Sequence, residues 1–158
     1  MAIDYFLKID AIQGESTDAK HRGEISILSW SWGETQTTAP GAGGGAGKVS
    51  IQDFRFSKYV DKASPKLMLA CASAQRIKDV VLSCRKAGAG QDFLTLTLSD
   101  VTVSSYEIVG NSGAVVDPTD QLALHFAKIE FNYVEGNPDG SMGASTKTGW
   151  DVKNNKAA

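Results

Sequence analysis

Large apolar and small polar residues alternate with a period of two through residues 24–33, E-I-S-I-L-S-W-S-W-G, which sets Trp30 and Trp32 against Ser29 and Ser31. That alternation marks a β-strand with one buried face, and each indole can remove roughly 150–250 Å² from water. The serine face is small and polar, so it can line water or another backbone without crowding it. The same period recurs elsewhere. Residues 4–9 set Tyr5, Leu7 and Ile9 against Phe6 and Lys8, and residues 49–58 carry Val49 and Ile51 on one phase and Phe54 and Phe56 on the other. Residues 79–85, 93–103 (with Leu94, Leu96 and Leu98 facing one way) and 122–134 supply three more strands. Residues 106–109 are expected to pair with the strand before them, and Trp150 lies in a short tail strand. One stretch changes period. At Ser64-Pro65 a helix of about ten residues begins, with Ser64 as its cap, Pro65 in its first turn, and Leu67, Met68, Cys71 and Ala74 at helical spacing.

Between these elements, residues 13–23 read as a polar loop and residues 35–47 (T-Q-T-T-A-P-G-A-G-G-G-A-G) as a long flexible one. Residues 111–118 form a turn-rich connection, and the Gly-rich segment 135–148 is expected to be exposed and flexible. The apolar phase slips by one residue at four places: Ile27/Leu28, Gln52-Asp53, Ser99-Asp100 and Ala127-Lys128. A β-bulge produces such a slip and bends the strand, so repeated slips point to a curled sheet or barrel. Alternatively, each strand buries one face in its own core and the other in a neighbouring subunit. Both readings favour a small β-barrel that assembles.

Length and charge narrow the function. At 158 residues the chain is expected to be a single domain, residues 1–158. The net charge of -2 and a longest basic cluster of only Arg85-Lys86 speak against nucleic acid. No apolar run approaches the roughly 20 residues that cross a bilayer, so no membrane insertion is expected. Asp4 and Lys8 interrupt the N-terminal stretch where a signal peptide needs an unbroken apolar core. Folding in the cytoplasm is therefore expected, with any export using a route that reads no cleavable signal. Cys71 and Cys84 lack metal-ligand or C-x-x-C spacing and read as small buried hydrophobes.

Catalytic chemistry finds little support. The run G-A-G-G-G-A-G-K fails as a phosphate loop because Ala42 stands where the first glycine belongs and Val49 where Ser or Thr should follow Lys48. A strand pattern follows it, so no helix N-terminus is there to hold an anion. His21 sits in the polar loop and His125 within a strand, and neither belongs to a G-x-S-x-G or H-E-x-x-H motif. No catalytic residue, cofactor or metal ligand is expected; the chain reads as a scaffold.

Several stretches together resemble the haemolysin-coregulated protein family, Hcp, the tube protein of bacterial type VI secretion. They are D-Y-F-L-K-I, G-E-S-T-D with His21, E-I-S-I-L-S-W-S-W-G, the run G-G-G-A-G-K-V-S-I-Q-D-F-R-F-S-K-Y-V-D-K-A-S-P-K-L-M, then R-K-A-G and G-W-D-V-K-N. The resemblance covers nearly the whole chain. It implies a mainly β fold, a compact two-sheet barrel with one short flanking helix, and hexameric rings stacked into a hollow tube. That tube would be driven from the cell by a contractile sheath beneath a VgrG-type spike, secreted, and able to carry effector proteins in its lumen. Ser29 and Ser31 would then line the lumen, or else an outer solvated face, while Trp30, Trp32, Phe54 and Phe56 anchor the core. Pro40, Gly41, Gly43, Gly44, Gly45, Gly47 and Lys48 would contact the next subunit or ring, or form a surface loop without that role. The chain departs from many relatives at Ala74, where they carry Gly. Two other classes compete: a monomeric module binding a small ligand or glycan on Trp30 and Trp32, and an enzyme using His21 or His125.

Overall fold

The computed structural model describes residues 2–37, 48–113 and 115–158. Alternating apolar residues build β1 (Ile3–Ile9), β2 (Ile25–Ser26), β3 (Ser29–Ser31), β4 (Glu34–Gln36), β5 (Val49–Ile51) and β6 (Phe54–Tyr59). After the single helix α1 (Ser64–Ala72) come β7 (Ile77–Lys86), β8 (Leu94–Val109), β9 (Thr119–Gly136), β10 (Met142–Asp151) and β11 (Lys156–Ala157). Among the described residues the architecture is mainly β with one short helix. Every pairing is antiparallel; the main sheet runs β11-β10-β9-β8-β7-β1-β2, with β6 joined to β9 and β3 to β6. A separate ribbon pairs β4 with β5.

The long β8–β9 hairpin belongs to two layers. Along its lower half β8 pairs with β7, from Cys84 opposite Leu94 to Ile77 opposite Val101, while β9 pairs with β10. Along its upper half β9 pairs with β6, from Phe54 opposite Leu124 to Tyr59 opposite Thr119. One layer is therefore β2-β1-β7-β8-β9-β10-β11 and the other β3-β6-β9-β8. Between them sits one core, with Leu7, Ile25, Phe54, Leu67, Leu82, Leu96, Val101, Leu124 and Phe126 each at most 2% exposed.

Three of the four phase slips mark changes of layer or direction. The amide of Ile27 donates to Tyr5 O at 3.1 Å, whereas the next amide, Leu28, donates to Ser57 O at 2.8 Å. The slip there is where the chain leaves β1 for β6, splitting the tryptophan segment into β2 and β3. The slip at Gln52-Asp53 separates β5 from β6. The slips at Ser99-Asp100 and Ala127-Lys128 are one event. Asp100 takes a positive φ of 54°, and the two strands bend together without a register change, Ser99 facing Lys128 and Val101 facing Phe126. Buried positions accordingly move from Leu96 and Leu98 to Val101 and Val103. The register shift in this hairpin falls instead between Val103 and Ser105, leaving Ser104 as the extra residue of a bulge.

Several expectations are corrected. β2 and β11 end the strand order, so among the described residues the hydrogen bonds do not close the expected barrel; the bends wrap two layers around a core and leave edges open. Residues 106–109 do not pair with the preceding strand but continue it through the bulge. Part of segment 135–148 is strand: β10 starts at Met142, because backbone pairing with β9 orders small polar residues that show no apolar pattern. Thr35 and Gln36 likewise lie in β4. Residues 38–47 fall outside the described residues.

Helix α1 buries Leu67 and Ala70 and exposes Met68 and Leu69. Ser64 is not its cap. Ala63 holds that position, while the Asp61 carboxylate accepts from the Ala63 amide at 2.9 Å and the Ser64 hydroxyl turns into the core. At the other end Gln75 N donates to Ala70 O at 3.0 Å, closing the helix over Ala74 at φ 53°.

Candidate functional site: a polar four-stranded face

Outward from the β3-β6-β9-β8 layer, the register aligns small and polar side chains in rows. Ser29 faces Ser57, which faces Gln121, which faces Glu107; beside them Ser31, Arg55, Ala123 and Ser105 form the next row. Ser29 and Ser31 are exposed, and the hydroxyls of Ser29 and Ser57 lie 2.6 Å apart. The face carries one cation and one anion, Arg55 and Glu107. It is bounded by strands lacking an outer partner among the described residues: β3 pairs only with β6, and β8 beyond Val101 pairs only with β9.

Residues of the intervening phase point inward and pack the face onto the core. Phe54 and Phe56 are buried, and Trp30 and Trp32 are half-buried against the core. Trp30 meets Tyr5 edge-on at 6.1 Å and stacks with Phe54 at 6.0 Å, while Trp32 Nε1 donates to Gln52 O at 2.9 Å. Trp30 is thus held by ring contacts and Trp32 by its indole N–H, rather than both standing out as a platform. Lys48 is exposed beside Thr37, whose hydroxyl donates to Lys48 O; Pro40, Gly41, Gly43, Gly44, Gly45 and Gly47 lie outside the described residues.

Two ionic clusters escaped the sequence reading. In the first, the fully buried Lys58 ammonium donates to Asp61 at 2.7 Å and to Ser64 Oγ at 2.9 Å, and lies 2.8 Å from the fully buried Asp120. Asp120 also accepts from the Ser64 and Tyr106 hydroxyls. Burial pushes the Asp120 carboxyl up, but the donors Lys58, Ser64 and Tyr106 outweigh it and hold it below the usual range. Burial, then the Asp120 charge, push Tyr106 up to about 12. The signal was in the phase. Lys58 shares its phase with Phe54 and Phe56, and Asp120 with Leu122 and Leu124, so both charges had to point inward and meet.

In the second cluster, His21 is 7% exposed under the loop preceding β2. Its ring stacks on Phe6 at 4.4 Å, Nδ1 lies 3.0 Å from both Glu24 oxygens, and Nε2 lies 2.9 Å from Asp92. The Arg85 guanidinium covers Phe6 and forks onto Asp18, holding that carboxyl down at about 2. Asp18 in turn accepts from the amides of Lys20 and His21. The loop closes so tightly that a Cβ on Gly14 would fall 2.6 Å from Glu24 O.

Neither histidine is placed to activate a nucleophile. His125 sits exposed on β9 with Nδ1 3.2 Å from Asp53, and Ser104 donates to the same carboxylate at 2.7 Å. The acid therefore stands between hydroxyl and imidazole, where a catalytic arrangement needs the imidazole in the middle. Cys84 is buried, which pushes its thiol up to about 12, with Asp92 adding to the effect, and leaves no thiolate at neutral pH.

A β layer with a smooth polar face, and with two strand edges that lack an outer partner among the described residues, has the character of a structural subunit. Residues 6–133 match the family model described as type VI secretion system effector, Hcp. The chain is 42% identical to protein hcp1 of Pseudomonas aeruginosa over 163 residues, covering all of both chains. Its fold is similar to the crystal structure of Hcp1 from Salmonella typhimurium, with a TM-score of 0.85, 37% identity and full coverage of both chains. It is also similar to a type VI secretion system effector from Yersinia pestis, with a TM-score of 0.78 and 33% identity, covering 94% of this chain and all of that one. The chain belongs to the Hcp family. It is a tube subunit of the type VI secretion system, a secreted structural protein of a ring-forming family, and not an enzyme.

Proposed function

We propose that six copies of this chain close into a ring whose channel is lined by the β3-β6-β9-β8 face, and that the rings stack into the hollow tube. One observation carries this reading: the smooth polar face is bounded on both sides by strand edges that have no outer partner among the described residues. Unpaired edge amides and carbonyls are templates for another chain, and joining one edge of a copy to the other edge of the next continues the face. Such a head-to-tail contact forms a closed ring when the rotation per copy divides a full turn. Ser29, Ser31, Ser105 and Ala123 keep the wall shallow, so effector proteins can occupy the lumen. Residues from Pro40 to Lys48 reach the neighbouring copy or ring. The tube assembles in the bacterial cytoplasm and is expelled beneath a VgrG-type spike by a contractile sheath.

Light scattering together with negative-stain images of the same fraction tests the ring. Particles of six-subunit mass with an open centre support it, and a clean monomer at micromolar and higher concentrations overturns it. Within the ring, Ser31→Gln is expected to keep fold and mass while reducing effector retention. If that substitution abolished folding or ring formation, Ser31 would not line the channel.

A further inference from the structure

The His21 cluster lies on the other layer, away from the polar face, and tube formation gives it no task. Its geometry constrains the proton count. A neutral imidazole has one N–H and one lone pair, yet here each ring nitrogen faces a carboxylate, Glu24 on one side and Asp92 on the other. Only the imidazolium donates to both. In the neutral form one nitrogen would set its lone pair against carboxylate oxygen, and that contact would become repulsive.

The two carboxylates come from different places. Glu24 closes the loop that carries His21, whereas Asp92 ends the turn after β7 and stands 71 positions away in sequence. The same loop reaches that turn again, since the Lys20 ammonium donates to Gly90 O. We propose that His21 is a proton-operated clasp: its imidazolium holds residues 15–24 against the turn at residues 87–92, and loss of the proton releases both segments.

Charged groups from every packed element favour the closed state. The loop contributes Asp18, Lys20 and Glu24, β1 contributes Asp4, β7 contributes Arg85, and the turn contributes Asp92. Four carboxylates thus surround two fixed cations before His21 takes its proton. Burial pulls the imidazole down, but its hydrogen bonds to the Asp92 and Glu24 carboxylates and their charges pull it up further, so the net direction is upward. A group raised in the closed state stabilises that state fully below its open-state value of about 6.5, and the effect disappears as pH rises through the closed-state value. The clasp therefore tightens in mild acid and loosens in base. It acts within one chain and does not depend on the ring.

Hydrogen exchange of the assembled protein, read by mass spectrometry from about pH 6 to about pH 9 and corrected for intrinsic rates, tests it. Peptides covering 15–24 and 87–92 should lose protection together as pH rises, by about tenfold for each unit separating closed and open values. β8 and β9 peptides should not change. His21→Gln, which cannot charge, should show the high-pH behaviour at every pH. Because that variant removes a buried group, Asp92→Asn is the second arm and should move the transition to lower pH. Protection of both segments that is flat with pH in the unmodified protein, or a transition unmoved by Asp92→Asn, would overturn the clasp.

Discussion

Ala74, like Ala11 at φ 67°, carries a plain conformational cost. An L-residue in the left-handed region places its Cβ against the following carbonyl, and the helix exit forces φ 53° there. Glycine pays no such cost, so Ala74→Gly is expected to stabilise by up to about 1 kcal/mol, seen as a higher urea midpoint at unchanged slope. The Lys58–Asp120 pair decides stability in the opposite sense. Asp120→Ala leaves a fully buried ammonium with Asp61 as its remaining carboxylate and should destabilise by no more than about 3–5 kcal/mol, the range for a wholly unpaired buried charge. Replacing both partners by apolar residues, Lys58→Met with Asp120→Leu, should recover most of that loss in the same denaturation assay. The sequence announced this pair through phase alone: a charge at an inward position demands a partner, but no local rule names it. The partner lies 62 positions on, in β9.

At the scale of elements, the one-residue slips were legible and their meanings were not. Each reads as the same pattern, yet one transfers the chain between layers, one ends a ribbon strand, and two form a joint bend with no register change. Pairing partners distinguish them, and partners are nonlocal. The bulge at Ser104 left no apolar signature because the residues around it, Ser104 and Ser105, are both polar and exposed. Its role is nevertheless sharp. It sets Tyr106, three residues after Val103, on the same inward face, so deleting Ser104 would remove only the extra residue and leave Ser105 opposite Ala123 and Tyr106 opposite Leu122 in a regular ladder. Retention of a cooperative thermal transition is the expected outcome, measured by circular dichroism on soluble protein. The short helix was legible from Ser64-Pro65 onward, but its cap was not, because the Ser64 hydroxyl is used by a core cluster that assembles only in three dimensions.

For the whole molecule, the shifted groups set opposing limits on stability. Asp18, held at about 2 by Arg85, and Asp120, held low by Lys58, Ser64 and Tyr106 against burial, stabilise above their unfolded value of about 3.9. That contribution is lost as pH falls through the folded values. His21, raised against burial by Asp92 and Glu24, stabilises below about 6.5, and that contribution is lost as pH rises through its folded value. Thermal melting at fixed protein concentration should therefore show a plateau between about pH 4 and about pH 6.5, falling on both sides. His21→Gln should flatten the alkaline fall and leave the acid one.

Residue order alone determined where strand pattern falls along most of the chain, the short helix, the inward phase of Trp30, Phe54 and Phe56, and the small polar phase of Ser29 and Ser31. Those features rest on side-chain periodicity, which is local and repeats every two or 3.6 residues. Only the tertiary structure decided that β8 and β9 run through two layers, that Met142–Asp151 is a strand, and that Lys58 meets Asp120 and His21 meets Asp92. It also decided that the polar face ends in two edges without an outer strand among the described residues. Those outcomes depend on which backbone hydrogen-bonds to which and on charges brought together from distant positions, and no window along the chain contains both members of such a pair.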